Sequence, residues 1–322
     1  MVDMRFSLLK YLGTWLAPGG KRGRLSILIY HRILPEPDPM RPGEVDAAKF
    51  SWHMQLLACY FRVLPFTLAL RLLREGCLPA RAVCVTFDDG YADNLEVALP
   101  ILQTWNVPAT FFIATGYLNG GRMWNDTVIE VVRCLPAGIV DLSGQGLGSY
   151  HLDGWQERNN VALQLIQRLK YLPFQQRHEQ VQYLASLVAS PLPDNLMLTA
   201  EQVRALQSAG MEIGAHTVNH PILARLDHTM ARWEIATSKQ YLEELLGQEI
   251  KLFAYPNGRP GQDYLPEHRE MVRDLGFVAA VSTHRGGIVR QTDPWQLPRF
   301  TPWDAQPDRF MARLMWNYRF GR

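Results

Sequence analysis

Short apolar runs that end in polar, chemically reactive side chains constrain the fold of this chain more than any other feature. Residues 82–85 lead into residues 86–90, TFDDG, and residues 211–215 lead into residues 216–220, HTVNH. Apolar runs of this length, bounded by turn-forming residues, indicate buried β-strands. The sequence therefore places two adjacent carboxylates at the end of one strand and two imidazoles at the end of another.

Strand patterns alternate with helical patterns along most of the chain, which predicts parallel βα units. We expect Thr67 to be the N-cap of the second helix. The predicted strands are residues 25–31, 62–65, 82–85, 108–113, 211–215, 252–255 and 277–282. The predicted helices are residues 47–61, 67–75, 93–105, 199–209, 229–246 and 267–275.

The alternation stops between about residues 117 and 198. Residues 159–171 and 175–188 have helical periodicity, and residues 144–149 have the composition of a loop. We interpret this stretch as a helical insertion that shapes substrate access, within one domain spanning residues 25–322. Residues 1–24 are predicted to form a separate N-terminal helical segment.

One of the adjacent carboxylates and the two imidazoles could hold a divalent metal. The imidazoles are four residues apart, and one helical turn would place them on the same face. Three protein ligands with open positions are typical of a catalytic metal site. Neighbouring side chains on an extended segment point apart, so the other carboxylate is left to act as a base. Taken singly, the first motif could be a turn and the second a pair of surface or core histidines, but together they favour metal-assisted hydrolysis of an acyl group.

Composition bounds the function further. Lys and Arg number 33 and Asp and Glu 31, so the net charge of +2 gives no electrostatic argument for a nucleic-acid partner. Hydrophobic residues make up 47% of the chain, enough for a large core. The four cysteines have no Cys-x-x-Cys spacing, and we expect reduced, buried thiols of a cytosolic protein, although the sequence leaves a disulfide open.

The N-terminal segment bears on localisation. Residues 4–16 are apolar but interrupted by Lys10, without a clear signal peptide, and they are too short to span a bilayer. They could form an amphipathic helix with Phe6, Leu9, Leu12 and Trp15 on one side. We expect this helix to pack on the barrel of a cytoplasmic protein, with peripheral contact to the inner membrane as the alternative.

Residues 86–91 (TFDDGY) and residues 216–220 (HTVNH) resemble the first two motifs of the NodB-homology polysaccharide deacetylases, in particular the exopolysaccharide deacetylase-like branch. Residues 108–112 (PATFF), 253–258 (FAYPNG) and 297–300 (LPRF) also match. The resemblance covers roughly residues 25–300, with a divergent middle. It implies an α/β fold, a distorted (β/α) barrel with fewer than eight strands.

The resemblance also implies a cofactor and a reaction. A divalent ion would be held by Asp89, His216 and His220, with zinc expected and Co, Ni, Mn or Fe as alternatives. Asp88 would then be the base that activates water. The implied reaction is hydrolysis of an N-acetyl group on an amino sugar.

Two histidines compete for the role of general acid. His31 ends the first apolar strand, and the C-terminal ends of parallel barrel strands face the active site, together with Asp88, His216 and Tyr255. A similar Tyr-His pair in some bacterial exopolysaccharide deacetylases supports His31, although a structural histidine is the alternative. His284 competes because many family members carry their acid late in the chain.

Two further residues are assigned from the third and last motifs. By position, the backbone N–H of Asn257 would complete the oxyanion site. The Arg that usually tethers the catalytic base is replaced by Ala254, which puts the orientation of Asp88 in doubt. Arg299 is the candidate substitute because it follows a short apolar segment late in the chain, although it could be a surface residue.

We therefore expect a metal-dependent N-deacetylase acting on a carbohydrate, an N-acetylated glycan or lipid-linked saccharide of exopolysaccharide synthesis. An O-acetyl esterase on the same scaffold and a non-catalytic carbohydrate-binding protein are the alternatives. The intact carboxylate pair argues against the second alternative, because binding alone does not need both carboxylates.

Overall fold

The computed structural model describes residues 14–319 of the chain. Its strands are β1 (Leu25–Tyr30), β2 (Ile33–Leu34), β3 (Val45–Asp46), β4 (Arg62–Val63), β5 (Ala82–Phe87), β6 (Ala109–Ile113), β7 (Gly138–Leu142), β8 (Gly148–Leu152), β9 (Glu212–Ala215), β10 (Leu252–Ala254) and β11 (Ala279–Val281). Its α-helices are α1 (Ala47–Tyr60), α2 (Phe66–Glu75), α3 (Leu99–Thr104), α4 (Trp124–Cys134), α5 (Trp155–Lys170), α6 (Phe174–Ser186), α7 (Ala200–Ser208), α8 (His228–Leu246), α9 (Pro266–Asp274) and α10 (Pro307–Asn317).

The predicted distorted barrel is confirmed. Seven strands form a parallel sheet in the order β1-β5-β6-β9-β10-β11, with β4 beside the start of β5. The segment 297–300 bridges the two ends of this order, because Leu297 pairs with Val281 of β11 and Phe300 pairs with Leu28 of β1. The sheet therefore curls back on itself, and the C-terminal ends of its strands share one rim.

The alternation of side chains along β5 explains which way Asp88 faces. Val83, Val85 and Phe87 belong to the apolar cluster that contains α1, α7 and α8, whereas Ala82 and Cys84 belong to a second cluster with α2. Successive strand residues point to opposite faces. Asp88 therefore continues the second face.

Helix α2 begins one residue earlier than predicted, and Thr67 is not its N-cap. The helix begins at Phe66 after Pro65, and no side chain of Pro65 can cap it. The carboxylate of Glu212 instead accepts hydrogen bonds from the N–H groups of Phe66 (2.6 Å) and Thr67 (3.1 Å). The orphan donors of this helix are thus satisfied by a residue far away in the chain.

The insertion has its own apolar cluster, which packs α4, α5 and α6 together. Helices α5 and α6 lie where helical periodicity predicted them. The expected loop at residues 144–149 is partly wrong, since β8 begins at Gly148 and pairs antiparallel with β7. Period-two alternation is weak in these two short strands, which explains why the hairpin was missed.

Several smaller expectations have mixed outcomes. The predicted helix of residues 4–16 lies almost wholly outside the described residues. Within residues 14–319 all four cysteines are free, but burial is right only in part: Cys84 is buried and Cys59 half-buried, whereas Cys77 and Cys134 are exposed. Among the helices of the described range, none has the length and apolar character that crossing a bilayer requires.

Candidate active site

Asp88 and Asp89 leave the end of β5 in different directions. The Asp88 N–H donates to the Tyr30 carbonyl (2.9 Å) and so continues the pairing of β5 with β1. Asp89 adopts a left-handed backbone (φ 75°), which is uncommon for a residue with a side chain. The chain turns at this residue, and the two carboxylates face different partners.

Asp89, His216 and His220 converge on one point. The Nε2 atoms of both histidines lie 3.3 Å from Oδ1 of Asp89. One candidate ligand atom from each residue lies within 4.8 Å of the others. The three residues predicted to hold a metal are therefore brought together by the fold.

The two imidazoles converge for a different reason from the one predicted. Residues 216–220 are not helical: Thr217 (φ 65°) and His220 (φ 51°) are both left-handed. The Thr217 hydroxyl accepts a hydrogen bond from the His220 N–H (3.1 Å) and closes a tight turn. The turn, rather than a helical face, brings the rings together.

The hydrogen bonding of His216 leaves its Nε2 free to bind a metal. Nδ1 lies 2.7 Å from the Ala254 carbonyl, which can only accept, so Nδ1 carries a proton and Nε2 is the nitrogen that faces Asp89. Burial lowers the pKa of His220 to about 4, which keeps this ring neutral at pH 7. Neutral imidazole is the form that binds metal ions.

A divalent ion fits these residues. Oδ1 of Asp89 is buried and has no hydrogen-bond partner within residues 14–319. A buried carboxylate oxygen without a partner is costly, and a cation would satisfy it. Two imidazole nitrogens and one carboxylate oxygen form the donor set of catalytic metal sites with open positions.

Arg299 grips Asp88 from inside the barrel. Its Nη1 and Nη2 donate to the two carboxylate oxygens at 2.7 and 2.6 Å, and its Nε donates to the Ser282 carbonyl at 2.9 Å. Burial alone would raise the pKa of Asp88, but the Arg299 charge brings it below the usual value. Arg299 is fully buried, so its interpretation as a surface residue is wrong.

Comparison with known proteins now identifies the family. Residues 75–280, well over half of the chain, match the family model described as polysaccharide deacetylase. The chain belongs to the polysaccharide deacetylase family. This membership makes it a deacetylase-type hydrolase with a carbohydrate substrate.

A curated relative and two solved structures are similar to this deacetylase. YxkH of Bacillus subtilis (strain 168), assigned to the polysaccharide deacetylases, is 23% identical over 281 residues, which cover 87% of this chain and 71% of YxkH. The Streptococcus pyogenes deacetylase PplD in complex with acetate has a TM-score of 0.61 at 21% identity, covering 91% of this chain and 99% of that one. IcaB from Ammonifex degensii has a TM-score of 0.60 at 20% identity, covering 93% and 98%. The two structural likenesses support the fold.

The deacetylase places His31 beside the two carboxylates. His31 follows β1, is half-buried, and lies close enough to add to the lowering of the Asp88 pKa, for which Arg299 is the main cause, and of the Asp89 pKa, for which His220 is the main cause. Its backbone carbonyl is held by Nδ2 of Asn94 (2.8 Å). His284 is exposed, and its Nδ1 lies 2.5 Å from the Ser282 hydroxyl. The electrostatic influence on both carboxylates favours His31, and its role as the acid stays a prediction.

Asn257 lies in the loop after β10 with a left-handed backbone (φ 60°). The Thr283 hydroxyl donates to its carbonyl (2.7 Å), while its N–H has no hydrogen-bond partner in the described part of the chain. A free N–H at this rim agrees with the predicted oxyanion role, which stays a prediction. Tyr255 does not face the site: it stacks on Tyr264 at 3.8 Å, and its hydroxyl donates to the Trp295 carbonyl (3.0 Å).

Sequence reasoning missed Glu234, a buried carboxylate of α8 that shapes the metal-binding turn. Its Oε2 accepts from the N–H groups of Val218 (2.8 Å) and Asn219 (2.9 Å), and its Oε1 accepts from Nδ2 of Asn219 (2.8 Å). Glu234 therefore holds the turn between the two histidines. The only sequence signal of this role is that Glu234 lies on the apolar side of α8. That position indicates a buried carboxylate but does not identify its partners.

Proposed function

We propose that this protein is a metal-dependent N-deacetylase that removes an acetyl group from an amino sugar of an exopolysaccharide or its lipid-linked precursor. The observation that carries the proposal is the juxtaposition of two sites. The ligand group of Asp89, His216 and His220 lies beside Asp88, which Arg299 keeps ionised. The three metal ligands alone could only bind an ion. The same ligands beside a base that is held in place can support hydrolysis.

The similar structures support an amide as the bond that is cleaved. One of them is described as a de-N-acetylase from Aggregatibacter actinomycetemcomitans, with a TM-score of 0.58 at 16% identity. PplD was solved with acetate, the product that an acetyl hydrolase releases. We extend these substrate properties to this chain as part of the proposal, together with zinc as the ion, since zinc commonly takes nitrogen and oxygen ligands at three protein positions.

Each residue then has a defined task. A divalent ion held by Asp89, His216 and His220 would polarise the acetyl carbonyl and lower the pKa of water. Asp88, ionised beside Arg299, takes a proton from the attacking water. The Asn257 N–H donates a hydrogen bond to the oxygen that becomes negative.

Departure of the amine requires a general acid. An amine is a poor leaving group unless it is protonated as the carbon–nitrogen bond breaks. His31 donates that proton from the side of the carboxylate pair. Acetate and the free amino sugar are the products.

The role of each carboxylate can be tested by paired substitutions. Asp88→Asn is expected to retain the metal and lose about 10²–10⁴-fold in kcat/KM for an N-acetylated glycan, the usual contribution of a general base. Asp89→Asn is expected to lose the metal. Asp153→Asn, at an exposed position, is the matched control. Elemental analysis and acetate release are measured on all three.

Some outcomes would contradict the proposal. Metal loss in Asp88→Asn with retention in Asp89→Asn would reverse the two roles. A metal-loaded wild-type protein that releases acetate from O-acetylated glycans but not from N-acetylated ones would make the protein an esterase. No acetate from either panel would remove the catalytic proposal.

A further inference from the structure

A cavity of about 340 Å³ lies between the insertion and the turn that carries the metal ligands. The insertion contributes Trp124 of α4 and Arg177 of α6, and the barrel contributes Tyr117 and Asn219. This volume lies at the small end of the range of ligand-binding pockets, enough for one sugar ring and a substituent. The cavity is therefore of a size that a substrate could enter.

The cavity wall and the metal-binding turn form one hydrogen-bonded unit. Asn219 directly precedes His220, and its carbonyl accepts from the Tyr117 hydroxyl (3.3 Å). One residue earlier, the Gly116 N–H donates to the Val218 carbonyl (2.9 Å). Burial raises the pKa of Tyr117 to about 12. The charge of Arg177 lowers this pKa and the charge of Asp89 raises it, so both residues lie near Tyr117. The cavity thus adjoins the candidate active site.

Arg177 differs from the other buried arginines of the described residues. Arg299 binds Asp88, Arg41 binds Asp126 and Glu130, and Arg158 binds the carbonyls of Val132 and Leu135. Arg177 is 6% exposed, yet its guanidinium makes no hydrogen bond or ion pair within residues 14–319. Burial lowers its pKa, and no nearby carboxylate reverses the effect. Its nitrogen atoms are not among the fully buried ones without a partner, so they open into the cavity, where an anion would be a stronger acceptor than water.

Aromatic rings hold Arg177 in place without satisfying its donors. Its guanidinium carbon lies 4.9 Å from the Trp124 ring centroid and 5.8 Å from that of Phe174. Such contacts offset part of the desolvation cost but leave the N–H groups without acceptors. Arg122, a second cation at the cavity, donates to the Thr127 hydroxyl and the Pro193 carbonyl but has no carboxylate partner among the described residues. No Asp or Glu of those residues lines the cavity.

We propose that this cavity is an anion-binding subsite, in which Arg177 binds a phosphate or carboxylate group of the substrate next to the sugar that is deacetylated. A guanidinium fork matches both anions, because it can donate two parallel hydrogen bonds. Trp124 offers an aromatic face beside the charge. The inference rests on the proposed deacetylase function and adds a substrate class to it: sugars that carry a negative charge near the acetylated residue.

Binding to the metal-loaded full-length protein tests the subsite. N-acetylglucosamine 1-phosphate is compared with N-acetylglucosamine, and a glucuronic-acid-containing N-acetylated disaccharide with its glucose-containing counterpart, by isothermal titration calorimetry. We expect the wild type to bind at least one charged ligand about 10- to 100-fold more tightly than its neutral counterpart, the value of a charge-assisted hydrogen bond. The ligand that shows the larger preference identifies the source of the anion.

Variants then assign the preference to Arg177. Arg177→Gln should reduce the preference to near unity, and Arg177→Lys should retain part of it. Arg71→Gln, which removes an exposed charge on α2 away from the cavity, should leave it unchanged. In an activity assay, Arg177→Gln should lower kcat/KM for the charged substrate more than kcat/KM for a neutral N-acetylglucosamine oligomer, by the lost preference, whereas Arg71→Gln should leave the ratio of the two unchanged.

Failure of this inference can be told apart from failure of the proposed function. Equal wild-type affinity for charged and neutral ligands overturns the subsite even if acetate is released. A preference that survives in Arg177→Gln assigns the anion to another place, such as the metal, and also overturns it. If no acetate is released from any glycan but the preference depends on Arg177, the subsite stands and the catalytic proposal falls.

Discussion

Removing Arg299 should destabilise the protein more than almost any other single substitution at the site. Its guanidinium is fully buried and makes two charge-assisted hydrogen bonds to Asp88, which is itself 2% exposed. Arg299→Gln would leave a buried carboxylate without its counter-ion. Breaking a buried pair in this way costs about 3–5 kcal/mol, because the remaining charge is desolvated and uncompensated.

The same reasoning predicts that a second substitution will recover part of the loss. Asp88→Asn in the Arg299→Gln background removes the unpaired charge, so the double variant should be more stable than Arg299→Gln alone by at least about 1 kcal/mol. Arg273→Gln is the control, because Arg273 pairs with the exposed Asp274. This exposed pair should contribute less than about 1 kcal/mol.

Urea unfolding is measured on five proteins: wild type, Arg299→Gln, Asp88→Asn and their double variant, which form the cycle, and the control Arg273→Gln. The metal concentration is held fixed and saturating, since bound metal raises apparent stability. A coupling energy close to zero would refute the reasoning, as would a cost of Arg299→Gln no larger than that of Arg273→Gln. Either result would mean that the pair is open to water in solution.

Three further predictions follow from individual histidines. His220→Ala should lose both the metal and activity, and stoichiometric tight metal in the variant by elemental analysis would contradict its assignment as a ligand. His31→Ala should impair amide hydrolysis far more than hydrolysis of an activated aryl ester, whose phenolate leaves without a proton; an amide-selective loss in His284→Ala instead would move the acid to the later loop. Burial lowers the pKa of His53 to about 3, so this ring stays neutral in the folded protein. In the unfolded chain the same ring takes up a proton below about pH 6.5. Stability should therefore fall as the pH drops from 7 to 5, by about 2 kcal/mol more in wild type than in His53→Gln in urea unfolding, and parallel pH curves would exclude this effect.

The residues that face the predicted metal show how far local patterns reach. Asp88, Asp89, His216 and His220 lie directly after apolar strands, and parallel strands deliver their C-terminal ends to one rim. Alternating strand and helix patterns generally imply parallel strands, so the meeting of these residues at one rim was predictable. The predicted reason for the convergence of the two histidines is nevertheless wrong, because a left-handed turn and not a helical face brings the rings together.

Long-range partners account for most of what was missed. The Glu212 carboxylate caps α2, and Glu234 holds the turn between the two metal-binding histidines. Both are single acidic residues whose partners lie elsewhere in the chain. Local propensity carries no information on such pairs, since hydrogen bonds form between whichever groups the packed elements bring together.

The strand–helix alternation, the family and the positions of the candidate ligands can be read from the sequence alone, because they depend on short-range periodicity and local motifs. The pairing of Arg299 with Asp88, 211 positions away, and the burial of Arg177 without a protein partner among residues 14–319 are visible only in the folded structure. The physical reason is that the energy of a charge depends on what surrounds it. Whether an arginine is paired, solvated or waiting for an anion is set by packing and not by its neighbours in sequence.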